Sequence, residues 1–343
     1  MTSKSLSCRE VNRPILLRPA GKDYLWGGVR LRGEYHKDLP LEPLAETWEC
    51  STHPDGPSII ASGEYAGMTL REVLRQHPKW LGERHGRELR NGEQQHGKRN
   101  RQNAGGELPI LIKLIDAAKD LSIQVHPADA YAWEHEGQPG KTEMWYVLDA
   151  EPGAELIYGF SHDVTGQQVR EALEKGKLLN HVQKIPVRKN DVFFVEPGTL
   201  HAIGGGVLLA EIQENSNVTY RLYDYDRVDK NGQKRPLHLE KALDVLDLKR
   251  AGQVRQQLRL MRYQPGAASE ILCRCEYFQV NRVLVTERFC FRVEKTSFQV
   301  LLVLEGELEV ENLQLRKGDC VFLPAGCGEL EVEGKGQLLQ VFC

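Results

Sequence analysis

The segment Leu121-Ser122-Ile123-Gln124-Val125-His126-Pro127 alternates apolar and polar residues. In an extended strand that period of two puts Ser122, Gln124 and His126 on one face, with Leu121, Ile123 and Val125 on the other. A carboxylate follows at Glu143, in Lys141-Thr142-Glu143-Met144-Trp145, where Lys141 and Glu143 share a face by the same rule. A second imidazole, His201, ends the stretch Glu196-Pro197-Gly198-Thr199-Leu200-His201, so a Pro-Gly turn delivers it. Two imidazoles, one carboxylate and one amide oxygen make a borderline nitrogen and oxygen ligand set. Zinc suits it, iron and manganese fit as well, and an open coordination position would make the site catalytic rather than structural. A histidine taken alone is more often a surface or hydrogen-bonded residue than a ligand. It is the arrangement that points to a metal.

Further charges stand in unusual places. Lys113 interrupts the apolar run ILIKLI, so its ammonium must pair, reach the surface or face a polar cavity. Glu211 shares a strand face with Val207, Leu209 and Gln213 and is a candidate base; Glu49 and His53 are weaker ones. Arg221, in Val-Thr-Tyr-Arg-Leu-Tyr-Asp, is by residue type an ordinary strand arginine. Trp26, Trp48 and Trp145 fit the lining of a binding site or a core, the core being the commoner use. The run Gly204-Gly205-Gly206 lacks the lysine and following helix of a phosphate loop and reads as a hairpin turn.

The elements that must carry these residues are mostly strands. Apolar runs separated by glycines and prolines predict strands within 108–126 (two, around a turn at 117–120), 142–149, 191–195, 207–213 and 218–225. Helical patterns cover 69–80, interrupted by Pro78, then 164–180 and 236–248. Residues 83–107 are rich in Gly, Asn, Gln and Arg and read as a mobile surface insertion. Short strands resume at 278–285, 289–293, 299–304, 307–310, 313–315, 320–323 and 336–342, joined by turns at Glu305-Gly306 and Lys317-Gly318-Asp319. The expected organisation is a catalytic unit over 1–248, a junction over 249–267 and a smaller jelly roll over 268–343. In that last unit, Leu323-Pro324-Ala325-Gly326 repeats the Pro-Gly type of turn, but Cys327 stands after it and no histidine follows, so no metal is expected there.

Composition sets outer limits. The chain has 343 residues, 45 basic and 48 acidic, for a net charge of −3, which argues against a dedicated nucleic-acid binder. No apolar run approaches the roughly 18 residues of a membrane span. The polar start, MTSKSLSCRE, has no apolar core of a secretory signal, so a cytoplasmic protein with reduced thiols is expected for the eight cysteines.

Taken together, these segments resemble a known family. His126 on one strand, Glu143 on the next and the turn from Asp191 to His201 are similar to the two metal-binding motifs of the cupin superfamily. Gln124-Val125-His126 in place of the common His-x-His resembles the type I mannose-6-phosphate isomerases (phosphomannose isomerases), and the chain looks closest to their short bacterial form. Tyr24-Leu25-Trp26-Gly27-Gly28, Ala45-Glu46-Thr47-Trp48-Glu49, Leu111 to Ala117, Gly140 to Tyr146 and Gln213 to Arg227 agree with that family in order.

The resemblance implies a mainly β fold of two cupin-type jelly rolls with helical insertions. It implies one Zn²⁺ per chain, held by Gln124, His126, Glu143 and His201. It also implies interconversion of mannose 6-phosphate and fructose 6-phosphate by proton transfer between C1 and C2. Arg221 matches the family's active-site arginine, Ser122, Lys113 and Lys141 are candidates for binding substrate, and Glu211 for the base. The expected partner is a small sugar phosphate, with no nucleic acid or membrane, in a monomer or homodimer. The rival readings are a non-catalytic sugar-phosphate sensor and a cupin metal oxygenase.

Overall fold

The computed structural model describes residues 12–85, 105–228, 232–252, 254 and 259–343. Most of the insertion expected at 83–107 lies outside the described residues. The fold is mainly β, as expected.

Two antiparallel sheets build the unit that carries the chemistry. The larger runs Val192–Val195, Glu143–Ala150, Val207–Glu214, Ile110–Ala117, Glu46–Cys50 and Ala20–Lys22 in spatial order. The smaller runs Tyr220–Tyr223, Ile123–Val125, His201–Ile203, Glu155–Phe160 and Val182–Pro186. A core that includes Ile115, Trp145, Val147, Phe193, Val207 and Leu209 from the first sheet and Leu156 and Ile203 from the second lies between them.

Every residue of Ile110–Ala117 and of Val207–Glu214 is buried. Their near-continuous apolar runs reflect cover on both faces. One face looks into the sandwich. The other, with Ile110, Ile112, Leu114, Leu208, Ala210 and Ile212, packs in a cluster with Phe278, Val280, Phe298, Val300, Phe322 and Val341 of the C-terminal part. Each such aliphatic or aromatic side chain contributes roughly 1.5–3 kcal/mol of burial, so this seam joins the two parts firmly.

The C-terminal part is one curled ten-stranded sheet around a second core. Two of its strands come from the start of the chain. Ile15–Arg18 pairs with Cys320–Leu323, Ile15 opposite Phe322, and Ile59–Ile60 pairs with Ile15–Arg18 in turn. The expected turn at Glu305-Gly306 is absent. Gln299–Val310 is a single strand against Gly328–Phe342, with a register shift between Val303 and Glu305. Gly306 (φ 83°) lies beside that shift, and a Cβ there would come within 2.1 Å of the Lys335 carbonyl oxygen, so a bulge takes the place of a turn.

The helices are short and peripheral. Leu70–Gln76 and Gly166–Glu174 each begin with a capping box, Thr69 with Glu72 and Thr165 with Gln168. The first ends before Pro78, which opens a 3₁₀ turn, Pro78–Leu81. Leu239–Val245 occupies the middle of the helix expected at 236–248, and Leu237 before it is exposed.

Candidate metal centre and active site

Register brings the sequence candidates together. In the smaller sheet Gln124 lies opposite His201 on one side and opposite Arg221 on the other, so the three form a row across adjacent strands. His126 follows Gln124 on the same face. In the larger sheet Lys113 lies opposite Glu211, Glu211 opposite Trp145, and Gln213 opposite Glu143. Facing sheets thus bring Glu143 against the two imidazoles. The turn before His201 depends on Gly198, whose φ is 88°. Its N–H donates to the His126 carbonyl at 2.9 Å, and a Cβ would come within 2.9 Å of the Val245 carbonyl oxygen.

His126, Glu143 and His201 are wholly buried or nearly so. Each offers a ligand atom within 4.8 Å of the others. His126 Nδ1 donates to the Val218 carbonyl and His201 Nδ1 to the Thr199 carbonyl, both at 2.8 Å. Those bonds fix the tautomers and turn both Nε2 lone pairs inward, where they stand 3.1 Å apart. Burial lowers both imidazoles, His201 to about 4 and His126 well below its ordinary value, so both are neutral. Glu143 Oε1 has no hydrogen-bond partner and lies 3.4 Å from His201 Nε2; Oε2 lies 3.6 Å from His126 Nε2. Two neutral imidazoles whose Nε2 lone pairs face each other, beside a carboxylate oxygen without a donor, are a set that a divalent cation satisfies. The donor chemistry therefore fits a divalent metal.

Gln124 borders the set, its amide nitrogen 3.4 Å from His201 Nε2 and its amide oxygen accepting from Ser122 Oγ at 3.3 Å. A half-turn of the amide exchanges these two atoms, which turns the oxygen toward His201 Nε2.

A chain of buried charges continues from these three residues. Lys141 Nζ donates to Glu143 Oε2, lies 3.2 Å from His126 Nε2 and is 3.7 Å from Glu211 Oε1. Glu211 accepts from Lys113 at 2.9 Å and from Trp145 Nε1 at 2.9 Å. Lys113 is 4.0 Å from Glu46, which accepts from Trp48 Nε1 at 2.8 Å. Burial alone would raise the Glu211 carboxyl, but the ammoniums of Lys113 and Lys141 outweigh it and hold it well below the usual range. Burial, reinforced by the negative charge of Glu211, raises Glu143. Lys113 loses from burial but gains more from Glu211 and Glu46, and stays protonated.

Arg221 is half-buried. Its Nε donates to Ser122 Oγ at 3.2 Å and its Nη1 to the Pro236 carbonyl at 3.1 Å. Burial and then Arg235 lower it, yet a guanidinium remains cationic.

Ser122, Gln124, His126, His201 and Arg221 therefore converge from the side of the smaller sheet on Lys113, Lys141, Glu143 and Glu211 from the side of the larger one. Glu49 does not join them. It faces the seam, where Lys37 donates to it at 2.6 Å. Glu46 was not among the sequence candidates, although its i, i+2 spacing to Trp48 puts both on one strand face.

Known proteins resemble the chain over nearly its whole length. The family model of the phosphomannose isomerase type I catalytic domain matches residues 15–152, and that of the mannose-6-phosphate isomerase cupin domain matches residues 269–343. Mannose-6-phosphate isomerase of Streptococcus mutans is 35% identical over 333 residues, 95% of this chain and 97% of that protein. The probable mannose-6-phosphate isomerase GmuF of Bacillus subtilis is 36% identical over 94% of this chain and 97% of its own. The crystal structure of the mannose 6-phosphate isomerase from Bacillus subtilis superposes with a TM-score of 0.82 at 33% identity, covering 96% of this chain and 99% of that one. The chain belongs to the type I phosphomannose isomerase family.

Proposed function

We propose that this chain is a zinc-dependent isomerase that interconverts mannose 6-phosphate and fructose 6-phosphate. His126, Glu143 and His201 hold the ion, with Gln124 as the fourth ligand. The observation that carries the reading is the convergence of two neutral imidazoles and an undonated carboxylate oxygen beside Arg221. Bound there, zinc supplies a Lewis acid for the sugar's carbonyl and hydroxyl oxygens.

The reaction moves one proton between C1 and C2 through an enediol(ate), so negative charge grows on an oxygen. Arg221 meets that charge with a guanidinium that Ser122 and the Pro236 carbonyl hold in place. Ser122, Lys113 and Lys141 supply the remaining polar and cationic groups for substrate, and Glu211 takes the proton. Glu211 is ionised, as a base must be, but two ammoniums make it a weak one. The carbon acid must therefore be strengthened by stabilising the charge on oxygen, which is the part assigned to Arg221.

The deciding experiment incubates the purified protein with mannose 6-phosphate in deuterated water and follows C2 by NMR, before and after chelation. Isomerisation with C2 exchange, lost on chelation and restored by Zn²⁺, is the expected result. Binding of the sugar phosphate without exchange would replace the isomerase by the sensor.

A further inference from the structure

Lys141 sits on the ligand atoms themselves. Its ammonium donates to Glu143 Oε2 and stands 3.2 Å from His126 Nε2, and the residue is 3% exposed. A divalent cation held by His126, Glu143 and His201 needs those same lone pairs. Two cations cannot share them in a buried site, where little water screens their repulsion. The ammonium must then move, and an unpaired buried charge is costly, so it needs another acceptor within reach. Glu211 Oε1 lies 3.7 Å from Lys141 Nζ and is already a charge-pairing carboxylate.

We propose that Lys141 is a tethered rival of the metal: it occupies Glu143 until a divalent cation takes that carboxylate, and then swings to Glu211. The device deepens the reading above and rests on the cation site it names. It gives the site two properties. The buried Glu143 carboxylate always has a cation, which protects the fold when metal is scarce. Metal affinity is also set by a competition inside the chain, so it is weaker than the ligand set alone would give. Glu211 acquires a second part, as the landing place of the displaced ammonium.

The test is zinc affinity, measured in competition with a chelating indicator dye, in a double-mutant cycle over Lys141 and Glu211. Lys141→Met should bind Zn²⁺ about tenfold more tightly than the wild type, because the rival is gone. Glu211→Gln should bind it about tenfold more weakly, because the ammonium has no second seat. In the Lys141→Met background Glu211→Gln should then change affinity by less than about twofold. Thermal unfolding gives a second readout: zinc should raise the melting temperature of Lys141→Met by more than that of the wild type, its metal-free form having lost the cation on Glu143.

Unchanged or weaker zinc binding by Lys141→Met overturns the proposal. So does an effect of Glu211→Gln that is equal in both backgrounds, since that would be a general field and not a swing. If Lys141→Met does not fold, Lys141→Gln serves with the same expectations, being neutral but able to donate to Glu143. A wild-type protein that binds no zinc would overturn the site reading itself, a separate result from a failed cycle.

Discussion

The two β units bury very different interiors. Between the sheets of the first lie His126, His201, Glu143, Glu211, Lys113 and Lys141, all less than a tenth exposed. The second is built around the apolar cluster Val283, Val285, Leu301, Val303, Leu308, Val321, Leu330 and Leu338, and the buried carboxylate on its sheet, Glu270, pairs with Arg282. Both units contain a Pro-Gly-type turn, Pro197-Gly198 in one and Pro324-Ala325-Gly326 in the other, with the glycine at φ 88° and 82°. Only the first turn delivers a histidine. The fold thus tolerates a charged interior where every charge has a partner, at a cost in desolvation that an apolar interior avoids. The first interior is arranged for chemistry and the second for stability.

The largest effect expected from breaking this contrast is at the ligands. His126→Ala or Glu143→Ala should lose the metal, and with it several kcal/mol of transition-state stabilisation, on the order of a thousandfold in turnover. Metal analysis and an isomerisation assay check both. Arg221→Ala comes next. It should cost about 10²- to 10³-fold in kcat, yet leave zinc content unchanged, because it touches Ser122 and not the ligand atoms. Loss of metal in that variant would refute the separation of roles.

In the apolar interior the expected effect falls on stability. Leu301 is fully buried, and Leu301→Ala should cost about 2–5 kcal/mol of unfolding free energy, read by denaturant titration, with kcat unchanged under native conditions. A change in kcat before any unfolding would mean that the second unit shapes the site.

A smaller effect belongs to the seam between the units. The N–H groups of Glu83 and Arg84 donate to the Lys295 and Thr296 carbonyls, and His85 Nε2 lies 3.3 Å from Ser297 Oγ. Burial, then the charge of Arg84, lowers His85 to about 4. As pH falls from about 6.5 to about 4, the unfolded chain takes up a proton that the folded one refuses, so stability declines by at most about 1.4 kcal/mol per pH unit. His85→Gln should remove that part of the acid sensitivity, as seen in melting temperatures from pH 7 to 4.5; an unaltered slope would mean that His85 titrates normally.

How much of this contrast is legible in the sequence depends on the range of the signal. Ser122, Gln124, His126 and Glu143 are readable because a strand's period of two assigns faces, and His201 because a Pro-Gly turn precedes it. Lys113 is readable because an ammonium inside ILIKLI demands a partner. The identity of that partner, Glu211 98 residues later, rests on strand register, which no local pattern encodes. The same holds for Ile15–Arg18, whose apolar residues do not say that Phe322 and Val321 lie opposite. Gln299–Val310 reads as two strands because Glu305-Gly306 has the composition of a turn, and only the facing Gly336 strand makes it a bulge. The short helices Arg30–Tyr35 and Asp129–His135 escape notice because neither has a side-chain cap at its start.

The smallest effect should come from making the second turn look like the first. Cys327 follows Gly326 and is partly buried against the apolar core. Its N–H donates to the Pro324 carbonyl at 3.2 Å, so the turn is already formed. Cys327→His adds an imidazole there, but among the described residues Glu311 is the one charge that acts on this position, and the core it packs against holds the apolar Val293, Val321, Leu323 and Leu330. One imidazole and at most one carboxylate do not hold zinc, which takes three or four protein ligands. The variant should keep the wild-type metal content and turnover, and lose only about 1 kcal/mol of stability or less, because the site is partly exposed. A second equivalent of zinc would show that the turn alone makes the site, and that the charged interior of the first unit is a consequence of the metal and not its cause.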